Sequence, residues 1–255
     1  ENVYTLALRG LHDRAMNASN DMADRKQMLQ DALMAQRKML IDATGKRGED
    51  IPQAFTPYKE VLDVYDEGLE LPDDVTIIWP DDNYGYMKRL SSPKEQKRSG
   101  RSGVYYHSSY LGKPHDHLWM NTTSPTLMYE ELRKAYDMTA DRIWLLNAGD
   151  IKSCEFAVDF FLSMAYDIDS FNFDRAATYR TEWLCGMLGD EYRNEYQDVI
   201  NSFYKLAFAR RPEFMGWGYQ WATDKHGRER NTDTDFSLTN YREVDSRLSE
   251  YRRIG

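Results

Sequence analysis

"TIIWPDDNYGYMKRL", residues 76–90, decides how this chain is read. Thr76, Ile77, Ile78 and Trp79 are β-branched or aromatic and suit a strand buried on both faces. Pro80 lacks an N–H and closes the run. Asp81 and Asp82 follow at once, then Asn83, two tyrosines (Tyr84 and Tyr86) and the cations Lys88 and Arg89. In parallel α/β folds the carboxyl ends of the strands face the ligand. Paired carboxylates at such an end have an immediate chemical use. Part of the pair is also accounted for by aspartate as a turn former after proline.

Working outward, Val75–Trp79 is predicted as a strand. Upstream, Val3–Arg9 and the short "QAF" (53–55) read as strands. A helix is expected from about Asp21 to Ile41, with Met28, Leu29, Ala32, Leu33, Ala35, Met39 and Leu40 on one face. "YKEVLDVYDEGL" (58–69) is a helix closed by Gly68. Downstream, "SSPKEQKRSGRSG" (91–103) is a polar loop with room for one helical turn, and Val104–His107 is a strand. "SPTLMYEELRKAYDM" (124–138) is a helix with Ser124 as N-cap and Pro125 at its first position. "RIWLLN" (142–147) is a strand. "SCEFAVDFFLSMAYDI" (153–168) is apolar nearly all round, so it is expected to be buried on two sides.

Strands and helices thus alternate five times. That order specifies a parallel sheet with helical crossovers, either open or part of a (β/α) barrel. No glycine-rich phosphate loop follows any strand, which removes weight from the usual nucleotide-binding versions. Beyond about Ser170 no strand pattern is found. Ala176, Trp183 and Met187 form one helical stripe, with Ala177, Leu184 and Leu188 beside it. Tyr192, Tyr196, Val199, Phe203 and Leu206 form a second, and Tyr241, Val244, Leu248 and Tyr251 a third. "RRPEFMGWGYQWATDKHGRERNTD" (210–233) reads as a connecting loop. The tail is therefore expected to be an antiparallel bundle of about three helices. The domain division follows: residues 1–168 as a partial catalytic barrel, 169–255 as an all-α helical bundle.

Composition narrows the partners. The chain has 255 residues and a formal net charge of -9, with no long basic block. Phosphate backbones need a clustered positive field, so nucleic acid is not an expected partner. No apolar run approaches the ~20 residues of a membrane span, so no membrane partner is expected either. Cys154 and Cys185 sit in apolar helical patterns and read as free core thiols. Aromatic residues make up 13%, with 18 Tyr, which suits surfaces that stack on flat or sugar-like ligands as well as half-buried positions. The chain opens on Glu1 and goes directly into a strand, the beginning expected of a piece of a larger protein.

The strand ends carry the polar chemistry. Arg9, His12 and Asp13 follow the first strand, and Tyr58, Lys59 and Glu60 the second. Asp81, Asp82, Asn83 and Tyr84 follow the third. Tyr105, Tyr106 and His107 end the fourth, whose loop brings His115, Asp116, His117, Trp119 and Asn121. Asn147 and Asp150 follow the fifth. All five strands end in titratable or amide groups, which argues for one shared site. Glycoside hydrolysis needs two carboxyl groups on opposite sides of the scissile bond, and Glu60 with Asp81 or Asp82 is one such combination. The "HDH" run (115–117) with His107 is looser than established metal motifs. His107 and His115 are expected to hydrogen-bond a polar ligand, with no metal and no cofactor. A metal-dependent barrel hydrolase and a non-catalytic carbohydrate-binding relative are the alternatives.

"WPDDNYGYMKRL" (79–90), "SGRSGVYYHSSYLGKPHDHLWMNTT" (99–123) and "RIWLLNAGDIKSCEFAVDFFLSMAYD" (142–167), together with "RRPEF" and "NYREVDSRLSEYRR" in the tail, resemble glycoside hydrolase family 115, the xylan α-1,2-glucuronidases. The resemblance runs over essentially the whole chain. It implies the C-terminal portion of a (β/α)₈ TIM-type barrel followed by helices. It implies an inverting enzyme that removes α-1,2-linked glucuronic acid or its 4-O-methyl ether from glucuronoxylan or glucuronoxylo-oligosaccharides. It also implies a secreted or periplasmic setting, and leaves room for a homodimer formed through regions absent here. On this resemblance the catalytic carboxylates are sought among Asp81, Asp82, Glu60 and Asp116. Substrate-binding roles fall to Arg9, Tyr84, Tyr106, His107, His115, Trp119, Asn121, Asn147 and Asp150. Arg9, Lys59 and Arg89 are candidates to meet the uronate, and Trp79 and Trp119 to stack on a sugar face.

Overall fold

The computed structural model of the chain describes residues 2–10, 14–112, 116–213, 221–223, 226, 229–231 and 244–255. Thr76–Pro80 forms β3, and all five of its residues are buried. Parallel sheets are covered on both faces, which is why this strand is apolar at consecutive positions. Its neighbours are β2 (Gln53–Phe55) and β4 (Ser102–His107); β1 (Tyr4–Leu6) lies outside β2 and β7 (Ala140–Asn147) outside β4, giving the order β1-β2-β3-β4-β7. β1–β2, β2–β3 and β3–β4 pair in parallel. The bonds Ser102 N–H to Thr139 carbonyl and Ser108 N–H to Asn147 carbonyl advance together along β4 and β7, so that pair is parallel too. Gly103 permits the close approach: a Cβ there would meet the Ile143 carbonyl oxygen at 2.0 Å.

The chain divides into two units: residues 1–82, 87–106 and 132–145 form one, and 83–86, 107–131 and 146–255 the other. In the first, α1 (Met22–Thr44) starts at Asp21, whose side chain accepts from the N–H groups of Ala23 and Asp24, and stops at Gly45 with φ 67°. Its buried stripe is narrower than expected. Leu29 and Leu33 are fully covered, and Met22, Met34 and Leu40 pack alongside, but Met28 and Met39 are exposed. α2 (Glu60–Asp66) ends just before Gly68, φ 92°. Its Tyr65 meets Trp79 edge-on at 5.7 Å. Trp79 is fully buried and donates to Ser91 Oγ at 2.9 Å, so it is core and does not stack on a ligand. Arg89 lies 4.5 Å over the Trp79 ring and pairs with Asp66 and Glu95, which makes it a structural cation.

In the second unit, β5 (Tyr110–Gly112) and β6 (Asp116–Leu118) form an antiparallel hairpin. α3 (Pro125–Asp137), of which residues 125–131 belong to this unit and 132–137 to the first, starts at Ser124, whose Oγ accepts from Leu127 N–H at 3.2 Å, as the sequence predicted. α4 (Ile151–Tyr166) buries Cys154, Phe156, Ala157, Phe160, Phe161 and Met164. These residues make one broad face, while Leu162 and Tyr166 are exposed, so burial on two sides is not observed. α5 (Phe173–Leu188) adds Tyr179, 5.1 Å from Phe160. Cys154 and Cys185 are buried free thiols, as read. α6 (Arg193–Ala209) meets α5 through Gln197 and Thr181. α7 (Val244–Ile254) meets α6 where Arg247 donates to the carbonyls of Leu206 and Arg210. Met187 and Leu188 lie outside the packed stripe of α5 and are exposed. The tail is not purely helical: β8 (Trp221–Thr223) and β9 (Glu229–Asn231) form an antiparallel hairpin where a loop was expected. Three-residue strands are too short to carry a period of two. Tyr241, His12 and Asp13 lie outside the described residues.

Candidate active site

In the first unit the groups after the strands gather around Tyr58. Arg9 Nε and Nη2 donate to the two carboxylate oxygens of Glu60 at 3.1 and 3.2 Å, a two-point guanidinium–carboxylate pair. The two side chains are 21% and 22% exposed, so the pair borders solvent. Arg9 Cζ lies 5.4 Å from the Tyr58 ring centre and Lys59 Nζ 5.1 Å, while Tyr105 meets the same ring edge-on at 5.9 Å. Two cations on one ring hold it electrostatically. Lys59 adopts φ 52° and ψ -123°, a costly conformation for a residue with a side chain. It places the turn so that Glu60 opens α2.

Asp81 directly follows β3 and is 2% exposed; its N–H donates to the Tyr105 carbonyl at 3.1 Å and it forms an isolated antiparallel bridge with Met87. Asp82 is only half-buried, so the adjacent carboxylates occupy different environments. Tyr106, expected at the ligand, is fully buried and its ring is packed away from solvent.

The second unit holds the remaining candidates. His107, the last residue of β4, is buried, and its ring meets Tyr110 edge-on at 6.2 Å. Tyr110 in turn lies 6.2 Å from Tyr84. Asn147 ends β7, and its carbonyl accepts from the Ser108 N–H and Oγ at 2.9 and 3.1 Å. Asp150 is exposed at the start of α4. Trp119 is exposed. Asn121 has φ 55° and donates to the Ser153 carbonyl at 2.6 Å; its Oδ1 is buried without a hydrogen-bond partner among the described residues. His115 lies outside the described residues, as does the Asp116 side chain. Among the described residues, no three His, Cys, Asp or Glu side chains are grouped as a metal ion requires. No described helix is long and apolar enough to cross a membrane.

Three participants were not legible beforehand. Glu213 accepts from the Trp119 N–H at 2.7 Å, the Met120 N–H at 2.6 Å and the Thr122 hydroxyl. Arg211 donates to Thr123 Oγ1 at 2.9 Å and to the Tyr84 carbonyl, with its guanidinium 5.6 Å from the Tyr84 ring centre. Arg211 and Glu213 of "RRPEF" therefore clamp the segment 119–123 from some ninety residues away and Tyr84 from 127. Nothing local in the sequence marks that pairing. Tyr110, between His107 and Tyr84, is the third.

Comparison with known proteins identifies the family. No curated protein matches the chain. A solved structure, BtGH115A, described as a novel family GH115 4-O-methyl-alpha-glucuronidase with specificity for decorated arabinogalactans, matches with 38% sequence identity and a TM-score of 0.86. The match covers 99% of this chain and 33% of that one, so the chain spans about a third of its length. The model for glycosyl hydrolase family 115 matches residues 1–214, and the chain belongs to that family.

Proposed function

We propose that this chain is the C-terminal portion of the catalytic (β/α)₈ barrel, residues 1–168, and the helical bundle region that follows it, 169–255, of a glycoside hydrolase. The enzyme removes α-1,2-linked glucuronic acid, or its 4-O-methyl ether, from side chains of glucuronoxylan. The observation that carries this reading is the likeness to a 4-O-methyl-α-glucuronidase across 99% of the chain at 38% identity. The chemistry of the first unit supports it. A uronic acid substrate brings a carboxylate, and Arg9 is a guanidinium at the solvent edge able to receive one. Glu60 then gains a proton-transfer role as its partner is drawn off.

An inverting mechanism uses one carboxylic acid to protonate the leaving oxygen and one carboxylate to activate water, about 6.5–9.5 Å apart. Glu60 with Asp81 or Asp82 is the pair proposed here, and Asp116 remains a candidate. His107, Trp119, Asn121, Asn147 and Tyr84 are assigned to substrate contacts. No cofactor enters the scheme.

A second reading concerns the polymer. The solved relative is described as specific for decorated arabinogalactans, which favours a galactan main chain as the alternative carrier of the glucuronate. Incubating the full-length protein with glucuronoxylan and with glucuronate-decorated arabinogalactan, and following free uronic acid, tests both. Release from xylan supports the first reading and release from the galactan alone supports the second. No release from either, by folded protein, removes the glucuronidase assignment.

A further inference from the structure

The second unit contains a cleft of about 230 Å³ whose lining includes Tyr84, Tyr86, Thr122, Tyr204, Phe208 and Arg211. Four of its walls are aromatic. Tyr204, Ala207 and Phe208 come from one face of α6, at spacings of three and four. Phe208 is 83% exposed and Tyr86 is exposed as well. An aromatic side chain held at the rim of a cleft offers a flat face and little loss of entropy on binding.

The wall opposite is built in advance. Arg211, the cleft's single charged side chain among the described residues, is turned to the protein: it donates to Thr123 Oγ1 and the Tyr84 carbonyl and covers the Tyr84 ring. It fixes Tyr84, and these donors are committed to neutral protein acceptors. The cleft therefore presents ring faces and hydroxyls, a chemistry suited to a neutral polyol. Its volume is below the roughly 300–1,000 Å³ of sites that take a whole drug-sized ligand, which fits one ring. Tyr84 leads through Tyr110 to His107 at the end of β4, with 6.2 Å between successive ring centres.

We propose that this cleft is a subsite for one neutral pyranose ring of the polysaccharide main chain, stacked on Phe208 and the tyrosines. The proposal rests on the glucuronidase reading for its choice of polymer. Its test does not. Undecorated xylo-oligosaccharides and linear galacto-oligosaccharides are titrated calorimetrically into the full-length protein, the Phe208→Ala and Phe208→Trp variants, and a control, Tyr166→Ala. Tyr166 is 94% exposed and lies outside the cleft. The wild type is expected to bind one of the two oligosaccharides. Phe208→Ala should weaken that binding by roughly 3–10-fold, the worth of one aromatic contact. Phe208→Trp should retain it, and Tyr166→Ala should bind as the wild type does. Failure of the wild type to bind either sugar, or equal binding by Phe208→Ala, overturns the proposal. Uronic acid release by the wild type is followed in parallel: if it is absent while Phe208-dependent binding persists, the glucuronidase reading falls and the subsite stands.

Discussion

Glu60 and Glu213 are the same residue in opposite surroundings. Glu60 borders solvent and shares its two oxygens with one guanidinium, that of Arg9. Glu213 is 6% exposed and is saturated by two backbone N–H groups and a hydroxyl. Two of the donors around Glu213 are backbone N–H groups and the third is the Thr122 hydroxyl. The partner of Glu60 is itself 21% exposed and lies 5.4 Å from the Tyr58 ring centre. The difference shows that accessibility and the kind of donor, more than residue type, distinguish the surroundings of the two carboxylates.

The largest expected effect tests the chemical side of that comparison. In the full-length protein, Glu60→Gln should lower turnover by roughly 10²–10⁴-fold, the range for losing a general acid or base. Asp81→Asn and Asp82→Asn should differ sharply from each other, because one carboxylate is buried and the other half-buried. The measurement is uronic acid release by each folded variant. If Glu60→Gln keeps near-parental turnover, the Arg9–Glu60 pair is structural and the contrast with Glu213 collapses. If both aspartate variants remain active, the 79–86 corner holds the fold only.

The architectural side predicts a loss of stability. Glu213→Ala strands the N–H groups of Trp119 and Met120 and the Thr122 hydroxyl. Each buried orphan costs about 1–3 kcal/mol, and partial access to water should hold the total to about 2–4 kcal/mol. Glu213→Gln keeps one acceptor and should recover part of it. Glu60→Ala, by contrast, removes a solvent-bordering pair and should cost no more than about 1 kcal/mol. Thermal melts of the three variants decide this. An unchanged melt for Glu213→Ala would show that the 119–123 segment is held by other means.

The two regions also differ in how far the sequence disclosed them. Arg9, Glu60, Asp81 and His107 each lie within a few residues of a strand end, and β-branched runs such as Thr76–Ile78 marked those ends. Local pattern sufficed there. Glu213 was missed because its partners are more than ninety residues away, a separation over which no periodicity speaks. The hairpins β5/β6 and β8/β9 were missed because, unlike "QAF" in the regular strand–helix order, their three-residue strands had neither an alternation to count nor a place in that order to mark them. Periodicity on α1 and α4 over-counted the buried face: it recorded apolar residues, whereas the number covered depends on how much neighbouring surface packs against each helix. Met28, Met39, Leu162 and Tyr166 are the surplus. Lys59 was picked out for its charge, but its positive φ could not be, since nothing in "YKEV" announces one.

Glu95 supplies the finest test, because it belongs to the same unit as Glu60 yet resembles Glu213. Its carboxylate accepts from Tyr65 Oη at 2.7 Å, Arg89 Nη2 at 3.0 Å and Ser92 N–H at 2.7 Å, while Ser92 Oγ accepts from the Glu95 N–H at 3.4 Å. That reciprocal Ser92–Glu95 exchange has the form of a capping box. Burial alone raises the Glu95 pKa, but the bonds donated by Tyr65, Ser92 and Arg89 outweigh it and hold the group below the ordinary value. The unfolded chain therefore binds a proton more readily than the folded one as pH falls past the usual glutamate pKa of about 4.3, and stability is lost in that direction. Tyr65 acts at the other end. Burial, and then the carboxylate it bonds, push its phenol above the ordinary value. Above about pH 10 the unfolded chain loses that proton first, and stability falls as pH rises. Melting temperatures across pH should show Glu95→Gln with a shallower acid limb than the wild type and Tyr65→Phe with a shallower alkaline limb. Both should match the wild type in slope near neutrality, where neither group changes charge. An acid limb unaltered in Glu95→Gln would mean that its three donors do not favour the ionised form, and that the line drawn between Glu60 and the architectural carboxylates lies in the wrong place.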